Sequence, residues 1–238
     1  MNINNPTTFS TPDLTLGTSN SSGTGGALRA DDTILVYDTS VPASVGAASA
    51  TGSASTAARR DHVHAAGQGV LLGTATASNS ATLTVTGLST TYNIYMVVGS
   101  RLRPATDGQP LQLRLGDSGG IDSGASDYTF HTGASVSNSN SYGGSSGTQS
   151  RIQLGSAGVD NGAASSIDFT GWLHCDGTVN PMFNGTQAFT YADDTALIYA
   201  GQFGGSRLSG IAVTQVQVSF ASGNITSGTL TVWGIKTS

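Results

Sequence analysis

Beyond about residue 67 the chain alternates apolar and polar positions in short runs, separated by Gly, Pro, Asn and Asp. That is the period-two pattern of half-buried strands bounded by turn chemistry. A first run covers 69–77. In 81–87, Leu83 and Val85 share one face while Thr82, Thr84 and Thr86 share the other. The run 92–102 is apolar enough for a buried central strand. Residues 110–115 place Leu111, Leu113 and Leu115 inward against Gln112 and Arg114. Shorter runs follow at 128–131 and 151–154. Residues 166–175 carry Ile167, Phe169 and Leu173, and 195–203 carry Leu197, Tyr199 and Phe203. In 211–220 the parity changes between Val213 and Val216, which predicts a bulge near Thr214. A last strand over 229–235 closes the series. This spacing predicts about nine or ten antiparallel strands in a jelly-roll-like β-sandwich head. The stretch 131–150, polar and rich in Gly and Ser with Tyr142 as its aromatic, is expected to be a long loop.

The first 66 residues follow another rule. Leu16-Gly17, Gly23 and Ala27-Leu28-Arg29-Ala30-Asp31 are echoed by Val45-Gly46, Gly52 and Ala57-Ala58-Arg59-Arg60-Asp61. These degenerate repeats, 16–31 and 45–61, predict extended arms with short turns. Two copies are too few for a solenoid, and such arms bury little within one chain. The segment 1–66 is therefore expected to oligomerise and to attach to other proteins, with Arg29, Asp31, Arg59 and Asp61 at its contacts. Between the repeats, 33–37 reads as a short strand. The head is assigned to 67–238.

Composition strengthens the all-β reading. The chain has no Glu, its 14 acidic residues are all Asp, and Lys236 is its sole Lys. Good helix formers are thus replaced by residues that favour turns, caps and strands. A net charge of −5 with scattered Arg argues against nucleic acid as a partner; Arg101-Leu102-Arg103 is the nearest thing to a basic patch. No apolar run predicts a membrane span, and Met1-Asn2-Ile3-Asn4 does not read as a secretion signal. Cys175 stands alone and reads as a small buried residue.

Several segments, in order, resemble bacteriophage virion proteins. Residues 52–64, ending Ala57-Ala58-Arg59-Arg60-Asp61-His62-Val63-His64, resemble a motif of tail-fibre and tail-collar proteins. Residues 101–115 and 122–128 are similar to a recurrent fibre head, and 222–229 with Trp233-Gly234-Ile235 resemble its closing strand. The resemblance implies a homotrimeric, non-enzymatic tail fibre or receptor-binding subunit, located in the virion and made in the host cytoplasm. Its N-terminal segment would meet other virion proteins, and its head a host surface glycan or receptor. A purely architectural baseplate, collar or capsid fibre protein is the alternative, and a glycan depolymerase a more distant one.

Candidate chemistry is sparse. His62 and His64, two apart in an extended segment, face one side. On a trimer axis their imidazoles suit a transition metal such as Fe, Ni or Zn. Equally, they read as hydrogen-bonding residues of a trimer interface; no other cofactor is implied. Asp31-Asp32 and Asp193-Asp194 read better as solvated turn residues than as a glycosidase pair, because neighbours in sequence point apart. No nucleophile elbow or phosphate loop is present. For receptor contact the best candidates are Tyr142, Asn138 and Asn140 on the expected loop. Trp172 reads as core or interface beside His174. Met182-Phe183-Asn184, after Pro181, reads as a turn at the rim of the head.

Overall fold

The computed structural model describes residues 69–136, 141–155, 157–191 and 194–235. All belong to the unit Gln68–Ser238. The readings placed on 1–66, including both repeats, lie outside the described residues.

The described chain is all-β, without a helix. Its strands are β1 (Gly69–Thr76), β2 (Leu83–Thr86), β3 (Ile94–Pro104), β4 (Leu111–Asp117), β5 (Gly120–Ile121), β6 (Tyr128–Val136) and β7 (Ser141–Gln149). There follow β8 (Ile152–Gln153), β9 (Ile167–His174), β10 (Met182–Tyr191), β11 (Asp194–Arg207), β12 (Gln215–Phe220) and β13 (Ile225–Ile235). Eight strands form one antiparallel sheet in the order β1-β13-β3-β9-β10-β11-β6-β7. A smaller sheet runs β2-β12-β4-β5, with β8 also paired to β4. The sandwich-like class expected from the alternation is observed. The strand number is larger than expected because β5, β7 and β10 were not anticipated: β5 is two residues long, β7 falls in the expected loop, and the start of β10 was read as a turn.

One core fills the space between the sheets. From the large sheet come Tyr95, Val97, Ile167, Phe169, Leu173, Phe183, Tyr199, Phe203, Leu230 and Val232. The small sheet supplies Leu83, Val85, Leu111, Leu113, Leu115, Val216, Val218 and Phe220. β9 alternates strictly, each buried residue followed by an exposed one. Phe169, Phe183 and Phe203 make mutual ring contacts, with centroids 5.1–6.4 Å apart. Glycines make room for these rings. A Cβ on Gly99 would stand 2.5 Å from Phe169 Cδ1 and 2.8 Å from Leu102 Cδ1. The large sheet curls, helped by register shifts between Gly99 and Leu102 in β3 and on both sides of Ser227 in β13. At the β3 bulge Arg101 takes a φ of 51°, and its N–H donates to Asp168 Oδ1 at 2.6 Å. The neighbouring arginine is a structural tie, Arg103 Nε donating to Thr226 Oγ1 at 2.9 Å.

Several local expectations are corrected. Residues 131–150 are not a long loop: β6 and β7 form a hairpin, with Phe130 opposite Ser146 and Ala134 opposite Tyr142. Gln112 is buried, not solvent-facing, because β8 and β12 flank it in the small sheet. The parity change in 211–220 is real, but no bulge marks it. The chain joins the ladder only at Gln215, after Thr214 N–H has bonded Gly116 O at 2.8 Å and Thr214 O has accepted from Leu88 N–H at 3.1 Å. Cys175 is buried as expected, and burial pushes its thiol up to about 12.

Gln187, on the inner face of β10, is 4% exposed and neither amide atom has a hydrogen-bond partner. A buried polar group without a partner costs about 1–3 kcal/mol. Gln187→Met keeps the shape and removes that cost. It should stabilise the head by roughly 1–2 kcal/mol, read from the denaturation midpoint. A midpoint unchanged or lowered would show that the amide is satisfied.

Candidate functional site

The inner faces of both sheets are occupied by the core; the outer face of the large sheet carries exposed large side chains and a groove. Register defines its rows. One row runs Leu71, Trp233, Met96, Trp172, Asn184, Gly204, His131, across β1, β13, β3, β9, β10, β11 and β6. The adjacent row runs Ile235, Ile94, His174, Met182, Ser206. Leu71 and Met182 are each 57% exposed and Trp172 is 40% exposed. Trp233, Met96, Ile94 and Ile235 are half-buried. On β1, β13 and β3, Leu71, Trp233, Met96, Ile94 and Ile235 therefore form an apolar stripe, of the kind that marks interaction sites on soluble proteins.

The other half is different. On β10, β11 and β6 the surface sinks into an open groove of about 820 Å³. Outward residues there are Asn184 on β10, Gln202 and Ser206 on β11, and His131 and Ser135 on β6, with Met182 at one end. Gly133, Gly201, Gly204 and Gly205 contribute backbone to its lining. At Gly204 nothing lies within 4 Å of where a Cβ would be. Among the described residues the lining holds no Asp, Glu, Lys or Arg.

Several of the head's charged groups are tied into turns away from the groove. Arg207 Nε bonds Asp122 Oδ2 at 2.9 Å, and its Nη2 lies 3.9 Å from Asp127 Oδ1. Burial works against the guanidinium's charge, but the two carboxylates hold its pKa above the ordinary arginine value. Asp127 Oδ2 also accepts from Gly124 N–H at 2.6 Å. Together these bonds close the 122–127 turn. Asp176 is held below the usual carboxylate range by N–H groups of Val179 and Thr178 and by the Thr178 hydroxyl.

No known protein family, curated protein or solved structure matches this chain.

The residues proposed from sequence are distributed unevenly. His62, His64, Arg29, Asp31, Arg59 and Asp61 lie outside the described residues, as do Asn138, Asn140, Asp32 and Asp193. Tyr142 lies in β7 rather than on a loop. Trp172 is not core, since it points outward from β9 next to His174. Met182-Phe183-Asn184 opens β10 instead of forming a turn, and Phe183 is buried at 1% exposure. Sequence reading missed the β10-β11-β6 groove. Its signal was available in part: Asn184 and Gln202 occupy the parity opposite to Phe183 and Phe203. Among the described residues no group of three or more His, Cys, Asp or Glu is placed to hold a metal ion.

Proposed function

We propose that this chain is a non-enzymatic structural protein of a bacteriophage particle, a tail fibre or receptor-binding subunit that works as a homotrimer. In this reading 1–66 attaches to other virion proteins and the sandwich head contacts a host surface glycan or receptor. The observation that supports it most is the outer face of the large sheet, an apolar stripe toward β1 and, toward β6, an open groove whose apolar floor carries amide and hydroxyl side chains. The apolar half fits burial against other copies of the chain. Leu71 lies on β1, the strand directly continuous with the segment expected to oligomerise. The grooved half stays free for a ligand. Adhesion would then multiply weak single sites through trimerisation and several fibres per particle.

The full chain, tested for mass in solution and for binding to host cells, examines both parts. A trimer that binds cells is expected. A stable monomer would overturn the fibre reading, whereas a trimer indifferent to host cells would favour the architectural alternative.

A further inference from the structure

We infer that the groove on β10, β11 and β6 is the ligand site and that it takes a neutral oligosaccharide. This rests on the adhesin reading above and adds its place and its chemistry. Four properties carry it. Its volume, about 820 Å³, falls within the usual range for ligand sites. Its shape is long and open: from Ala200 to Ser206 along β11 the floor extends about 20 Å at 3.2–3.4 Å per residue, enough for several linked sugar rings. The Ser206 hydroxyl donates to Pro181 O at 3.0 Å; the other outward polar side chains are amides and a hydroxyl, Asn184, Gln202 and Ser135, with His131 opposite Gly204. Such groups both donate and accept, as sugar hydroxyls do. With no Asp, Glu, Lys or Arg among the described lining residues, no permanent charge there pairs with a uronate, sialate or sulfate.

The floor contributes as well. Open space above Gly204 lets a ring approach the backbone. Trp172, directly across from Asn184 on β9 and 40% exposed, stands at the shoulder of the groove. An indole there offers an apolar face to the C–H side of a pyranose, leaving the hydroxyls for the amides.

Gly204→Trp tests the site, because a side chain at this position fills the groove while meeting no neighbour within 4 Å of its Cβ. The full chain and this variant would be applied to immobilised neutral hexose and N-acetylhexosamine oligosaccharides and to uronate-, sialate- and sulfate-bearing ones. Binding to host cells would be followed in parallel. Wild type is expected to bind neutral oligosaccharides selectively, and Gly204→Trp to lose at least tenfold with its melting temperature unchanged. Should that variant melt early, the double variant Asn184→Ala, Gln202→Ala supplies the same readout. Preference for anionic sugars, no binding to neutral ones, or undiminished binding by the plugged variant each overturns the inference. If cells are still bound in those cases, the adhesin reading survives; if wild type binds no cells, that reading falls too.

Discussion

Gly171→Ala should lower the melting temperature of the head by roughly 6–12 °C, corresponding to about 3 kcal/mol of overpacking. Gly171 lies on the inner face of β9, opposite Gly185 and Val97. A methyl group here would run into Phe183 Cζ, standing 2.5 Å from Phe183 Cε2 and 3.1 Å from Phe203 Cζ. Both rings are buried, at 1% and 3% exposure, and each is held by Phe169. Neither can swing toward solvent. Close-packed interiors absorb such an intrusion only by forcing side chains off their rotamers or moving strands apart. A second substitution separates this cause from a general intolerance of β9. Phe183→Leu removes the ring atoms in the way, so Gly171→Ala should cost at least 1 kcal/mol less in that background. Strict additivity of the two changes would show that the ring is not what the glycine accommodates.

Tyr128→Phe should be the most damaging single-atom change in the head, costing about 2–3 kcal/mol. The phenol is fully buried and sits where the sheets meet. Its oxygen accepts from Leu115 N–H at 3.0 Å, and its hydrogen is shared between Leu115 O at 3.0 Å and Asp122 O at 3.1 Å. Burial drives its pKa far above that of a free tyrosine, so the bonding hydroxyl stays protonated throughout ordinary pH. Removing it strands the Leu115 N–H inside the core and takes a bond from Asp122 O, leaving Asp122 N–H to Leu115 O at 2.9 Å as the direct tie between this turn and β4. Tyr95→Phe is the natural comparison. That hydroxyl accepts from Ser89 N–H at 3.1 Å and donates to Ser89 O, but Ser89 is exposed and water can replace the bonds. Chemical denaturation of both variants should rank Tyr128 well above Tyr95. Equal losses would mean that the Leu115 contacts contribute little beyond their neighbours.

The parts of this fold that were legible in the sequence are those where two faces differ in chemistry. Ile167, Phe169 and Leu173, or Leu111, Leu113 and Leu115, announce an inner face because their neighbours in the strand are polar. β7 offers no such contrast. Ser141–Gln149 is Ser, Gly, Thr and Gln around one tyrosine, and it is a strand only because β6 supplies the partner ladder. Pairing across the chain is invisible to a local pattern. Of the two readings of Trp172, core and interface, the first fails for a related reason: its size suggested burial, although its parity with Thr170 and His174 pointed outward. The groove was harder still. It is made of positions that are small, such as Gly204, and its shape arises from the curl of the sheet and from which strands become neighbours. The N-terminal readings and the histidine pair concern residues beyond those described.

The edge position of β1 has a mechanical meaning. Whatever precedes Gly69 joins the head through β1, whereas the groove lies on strands β10, β11 and β6 of the same sheet. A pull between the two must cross the ladders of β13, β3 and β9 in turn. The first two of these strands are 11 residues each and pair along most of their length. Tension directed along β1 would be shared by its whole ladder to β13 in shear, whereas tension directed away from the sheet would open that ladder one pair at a time. A head built this way should hold fast against drag along its strands and yield first, by peeling of β1, when tugged sideways.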